Sequence, residues 1–82
     1  MSLITKTAEG TLARIPVGDS AVIAALDTTP TAARRLQELG LRPGQRVSIM
    51  QSTAGGGRVI KVATSRYALS ADALRGIKVS VA

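Results

Sequence analysis

Few side chains in this sequence are able to do bond-making chemistry. It contains no histidine and no cysteine, which removes the usual general bases, the thiolate nucleophiles and the ligands that a borderline-soft metal prefers. Five carboxylates remain, Glu9, Asp19, Asp27, Glu38 and Asp72, each standing singly near a turn or a cap. No two have a spacing that suggests an acid–base pair, and Asp27 stands where a negative charge favours the N-terminus of a following helix. The serines follow no nucleophile-elbow pattern. Gly55-Gly56-Gly57 has the composition of a phosphate loop, but such a loop runs into a helix and usually ends in Lys-Ser or Lys-Thr. A strand pattern follows here, so the glycines read as the tip of a hairpin. The expectation is a protein that is not an enzyme and has no cofactor or metal site within the isolated chain.

Charge turns the question to partners. Eleven Lys and Arg stand against five Asp and Glu, a net charge of +6. Such a balance favours nucleic acid, an anionic membrane face or an acidic protein, and does not choose among them. Single-strand binders on small barrels rely on base stacking, worth about 1–3 kcal/mol per base, and Tyr67 is the only aromatic residue. A basic module that binds RNA or DNA by charge alone is therefore the alternative reading. Protein recognition is the main one. Arg34, Arg35, Arg42 and Arg46 sit close in sequence, and the planar guanidinium pairs bidentately with carboxylate. Met50 and Tyr67 join them as candidate partner anchors, each also suited to filling a gap in the core.

The elements that must position these residues follow from pattern. Residues 1 to about 10 have no clear period and read as a loose tail ahead of one domain over 11–82. Leu12 and Ile15 anchor a lead-in, Val17-Gly18-Asp19-Ser20 is a turn, and 21–26 reads as a strand buried in part on both faces. Thr29 is a suitable N-cap and Pro30 suits the first helical position, starting a helix over about 30–39. Ala32, Leu36 and Leu39 share one face of it, and Arg34 and Glu38 are spaced to pair on the other. Gly40 is placed as a left-handed stop with Leu41 packing back on Leu36, and Arg42-Pro43-Gly44-Gln45 is a tight turn. Strands are expected around Arg46–Met50, Arg58–Ala63, Arg66–Leu69 and Ile77–Val81, with a hairpin tip at Ser52–Gly57 and a helical turn over about 70–75 capped by Ser70. The fold expected is mainly β, a small barrel of about five short strands with one inserted helix. The longest apolar run, Ala21 to Leu26, is far short of the about 20 residues that a spanning helix needs, and the start of the chain lacks a signal-peptide pattern. A cytoplasmic location is the simplest expectation. Exposed strand edges in a small open barrel also allow weak self-association.

Read in order, these segments resemble the ferrous iron transport protein A (FeoA) family. Leu12, Pro16 and Gly18 begin the resemblance; Arg35-Leu36-Gln37-Glu38-Leu39-Gly40-Leu41-Arg42-Pro43-Gly44 and Val47 form its centre; Tyr67-Ala68-Leu69-Ser70, Ala73, Ile77 and Val79 complete it. It covers about Thr11 to Val81. The loop Ser52–Gly57 departs from the family pattern, where many relatives carry a more apolar alanine-proline-leucine-glycine type of segment. The resemblance implies an SH3-like barrel in a cytoplasmic accessory protein, docking on the ferrous iron permease FeoB through its cytosolic GTPase domain or a membrane segment. Ferrous iron itself is expected to meet this chain only weakly or in a site shared with a partner or a neighbouring copy. The same fold occurs as a domain of iron-dependent repressors, whose DNA-binding regions are expected to be missing from a sequence of this length.

Overall fold

Six antiparallel strands form one sheet in the order β1-β6-β2-β3-β4-β5. The computed structural model describes residues 9–81. The strands are β1 (Glu9–Thr11), β2 (Ser20–Leu26), β3 (Arg46–Ser52), β4 (Arg58–Val62), β5 (Ser65–Leu69) and β6 (Ile77–Val81), with helices α1 (Pro30–Glu38) and α2 (Ala71–Arg75). Residues 1–8 of the expected tail lie outside the described residues. Its last residues do not form a tail: Glu9 and Gly10 pair with Ser80 and Val79 of β6. This sixth strand has three residues with a glycine at its centre, too short and too plain to show a period.

The sheet curls around its apolar face without closing, since β1 and β5 end the strand order and share no pairing. Two features span the gap. A 3-10 turn at Leu12–Arg14 places Leu12 and, just beyond it, Ile15 in the core. The half-buried guanidinium of Arg58 then donates to the carbonyl of Ile15, which ties β4 to the segment that follows β1. The core consists of alternate strand residues, including Ala21 and Ile23 of β2, Val47 and Ile49 of β3, Ile60 and Val62 of β4, and Ile77 and Val79 of β6, with Leu36, Leu41 and Leu74 from the helical segments. The half-buried interior expected for β2 ends early. Ala24 and Ala25 are exposed, because a bulge between Ile23 and Ala25 shifts the register against β6.

Helix α1 is specified locally from end to end. The Thr29 hydroxyl accepts the Ala32 N–H at 3.2 Å, and Pro30 occupies the first helical position. At the other end Gly40 has φ +95°. Its N–H donates to the Gln37 carbonyl at 3.0 Å and the Leu41 N–H to the Leu36 carbonyl at 2.9 Å, the two bonds of a Schellman stop. Arg34 and Glu38, spaced to pair on the outer face, form no ion pair. Exposed pairs of this kind gain a few tenths of a kcal/mol, too little to hold two long side chains in one geometry. Replacing Thr29 with alanine should lower the unfolding free energy by about 1 kcal/mol, measured by urea denaturation, because the Ala32 N–H loses its partner in the first turn.

The Pro43-Gly44 turn then aims β3. The Gln45 N–H donates to the Arg42 carbonyl at 3.0 Å with Gly44 at φ +91°, and the Gly44 N–H reaches the Ile23 carbonyl at 2.7 Å. Glycine supplies the positive φ that this turn requires. The turn is thus clipped to β2 beside its bulge. Ser70 caps α2 as expected, accepting the Ala73 N–H at 3.3 Å.

Candidate partner-binding surface

The six candidate residues do not form one cluster. Arg34 lies one turn into α1, over a shallow depression that it shares with Pro30 and Thr31, and Arg35 follows it, exposed. Arg42 folds back over the end of the helix, its Nε 3.5 Å from the Gln37 carbonyl, where a cation complements the C-terminal dipole. Arg46 is on the sheet instead, facing outward with Gln45, Ser48, Lys61 and Ala63 around a depression of about 300 Å³. Tyr67 is opposite Ile60 in the β4–β5 ladder, half-buried and packed against the core. The four arginines, close in sequence, are thus divided between α1, the turn and β3.

Met50 belongs to β3. A register shift between Ile49 and Gln51 leaves it as the unmatched residue of a β-bulge in β3, and it is 38% exposed. Alternation with buried Val47 and Ile49 already turns Met50 outward, and the bulge lets Gln51 follow it to solvent. Val17, 50% exposed, is the other large apolar side chain so displayed among the described residues. Its segment runs beside Met50, since the Gly18 N–H donates to the Ile49 carbonyl at 2.8 Å and the Ile49 N–H to the Asp19 carbonyl at 3.0 Å. Sequence reading took Val17 as part of a turn and missed it. The available signal was an aliphatic residue in a stretch otherwise suited to solvent.

Ionic chemistry at the surface is sparse. Among the described residues two ion pairs form, Arg75 with Asp72 and Lys78 with Asp27 at 3.6 Å, both well exposed. No three carboxylate side chains converge there.

A FeoA domain model matches residues 10–81. The chain belongs to the FeoA family. That family is associated with ferrous iron transport. The chain is similar to the FeoA of Stenotrophomonas maltophilia, a prokaryotic SH3 domain protein solved with zinc, at 31% identity and TM-score 0.73 over 84% of this chain and 87% of that one. It is also similar to an iron uptake regulatory protein (FeoA) at 22% identity and TM-score 0.78, covering 88% and 94% of the two chains. A manganese-dependent transcriptional repressor shares the fold over 96% of this chain and 45% of its own, with 18% identity and TM-score 0.82. No curated protein matches. The SH3-like fold expected of a FeoA member is present, as an open sheet of six strands where about five were expected. No helix among the described residues is long and apolar enough to cross a membrane.

Proposed function

We propose that this FeoA-family chain is a non-catalytic cytoplasmic accessory protein that docks on the cytosolic part of the ferrous iron permease FeoB and modulates iron uptake. The observation that carries the reading is Met50, turned outward on β3 and displayed beside Val17. An exposed apolar side chain on a sheet, with a second on the adjoining turn, is suited to enter a partner's pocket. The exposed Arg34, Arg35, Arg42 and Arg46, spread over α1, the turn and β3, favour an acidic partner by charge. Regulation requires unequal affinity for two states of the partner, and the nucleotide states of a GTPase domain provide them. Iron, where it meets this chain, meets it in a site completed by the partner, because this chain offers only scattered carboxylates and carbonyls.

Titration of the isotope-labelled chain with the permease GTPase domain, with GDP and with a GTP analogue, tests the reading. Amide shifts are expected around Val17 and Met50, and they should differ between the nucleotides. Met50→Ser should weaken binding about tenfold, the worth of one buried apolar anchor. Unchanged spectra in both nucleotide states at near-millimolar concentration would remove the GTPase domain as the docking site.

A further inference from the structure

Residues 39–71 carry Arg42, Arg46, Arg58, Lys61 and Arg66 and not one Asp or Glu. This stretch includes β3, β4 and β5, so half of the sheet is free of acidic side chains. Arg58 turns to the Ile15 carbonyl. The outer face receives three of the others. In the ladders Ser20 is opposite Ser48, Ser48 opposite Lys61, and Lys61 opposite Arg66. The row crosses four strands, roughly 14 Å at the usual spacing between strands. Arg46 joins it across the depression that it lines with Ser48 and Lys61.

Arg46, Lys61 and Arg66 are all exposed, and none makes an ion pair among the described residues. Like charges directly opposite each other weaken a strand pair. The Lys61–Arg66 pairing therefore works against the fold in the isolated chain, and an anion laid across it would offset that. The face has no aromatic side chain, since Tyr67 alternates to the core side of β5. Stacked bases have no platform there. What it presents is an open surface of cations and hydroxyls, with half-buried Val22 and Val59 among them.

We propose that this outer face of β2–β5 binds the anionic phospholipid headgroups of a membrane surface, with Arg46, Lys61 and Arg66 as the charges that do so. The inference rests on the charge pattern and not on docking to the permease. Where both contacts form, each raises the effective concentration for the other.

Co-sedimentation of the whole chain with vesicles tests it without any permease, so its failure leaves the docking proposal standing, and the reverse. Binding is expected to vesicles of phosphatidylglycerol mixed with phosphatidylcholine, not to phosphatidylcholine alone, and to weaken as salt shortens the range of the attraction. A basic residue near an anionic surface is worth roughly a factor of five. Lys61→Gln/Arg66→Gln should thus bind about 25-fold more weakly, whereas Arg14→Gln/Arg75→Gln, with the same change in net charge, should lose far less. Equal losses in the two variants, or no binding of the parent chain at low salt, overturns the proposal. Tighter binding to a single-stranded oligonucleotide that the Lys61/Arg66 variant abolishes also overturns it, and assigns the face to nucleic acid.

Discussion

Leu41→Ala is expected to lower the unfolding free energy by about 3 kcal/mol, within the range measured for fully buried leucines. Leu41 is fully buried, and its position follows from the stop of α1. Gly40 at φ +95° reverses the chain, and the Leu41 N–H closes on the Leu36 carbonyl at 2.9 Å. The side chain consequently lands beside that of Leu36, the buried residue of the helix. Removing it leaves a cavity where α1 meets the sheet, in a chain whose total stability is roughly 4–12 kcal/mol by length. Urea denaturation should show the midpoint falling by about 2 M or more, for a slope of about 1–1.5 kcal/mol per molar. Gly40→Ala separates packing from backbone strain: it keeps the leucine, forces an L-residue into a left-handed conformation and should cost about 1–2 kcal/mol. A loss below about 1 kcal/mol in Leu41→Ala would mean that the helix is held by other contacts, contrary to the burial.

The parts legible in the sequence are those whose physics is local. Thr29, Pro30, Gly40, Pro43, Gly44 and Ser70 each act within a few residues, and the structure places their caps and turns where the residue types put them. Strand alternation likewise sets Val47 and Ile49, and Ile60 and Val62, on one face of their strands, and that face is buried. What escaped depends on residues far apart. Strand β1 exists only because β6, about 70 positions later, pairs with it. Arg58 reads as a surface cation until the open side of the sheet brings Ile15 to it. Lys61 and Arg66 became neighbours through the β4–β5 register, and Val17 gained its place beside Met50 from two backbone bonds to Ile49. Among the candidate partner residues, Met50 was singled out by residue type and is exposed, whereas the arginines were grouped by sequence distance and the fold spreads them over α1, the turn and β3.

Gly57→Ala should be nearly as damaging as the loss of Leu41, for an opposite reason. Gly57 has φ −75° and ψ 170°, extended backbone open to any residue, so the effect is one of space alone. A Cβ built there would lie 2.6 Å from Thr53 Oγ1 and 2.9 Å from the Leu69 carbonyl oxygen. The first neighbour is an exposed side chain with freedom to turn away. The second is backbone of β5, held where Leu69 pairs with Arg58. Relief requires β5 to move, and the start of α2 with it, because Ser70 caps that helix and its Cα is 3.8 Å from the same Cβ. Overpacking of this kind costs about 1–3 kcal/mol, and a loss of about 2 kcal/mol corresponds to a fall in Tm of roughly 8–16 °C in so small a domain. Thr53→Ala in the same chain decides which neighbour matters. If the carbonyl is the obstacle, Thr53→Ala/Gly57→Ala stays as unstable as Gly57→Ala; recovery of the parent Tm would place the whole conflict on the threonine. Persistence of the defect would show that the loop 53–57 is fitted to the β5–α2 junction.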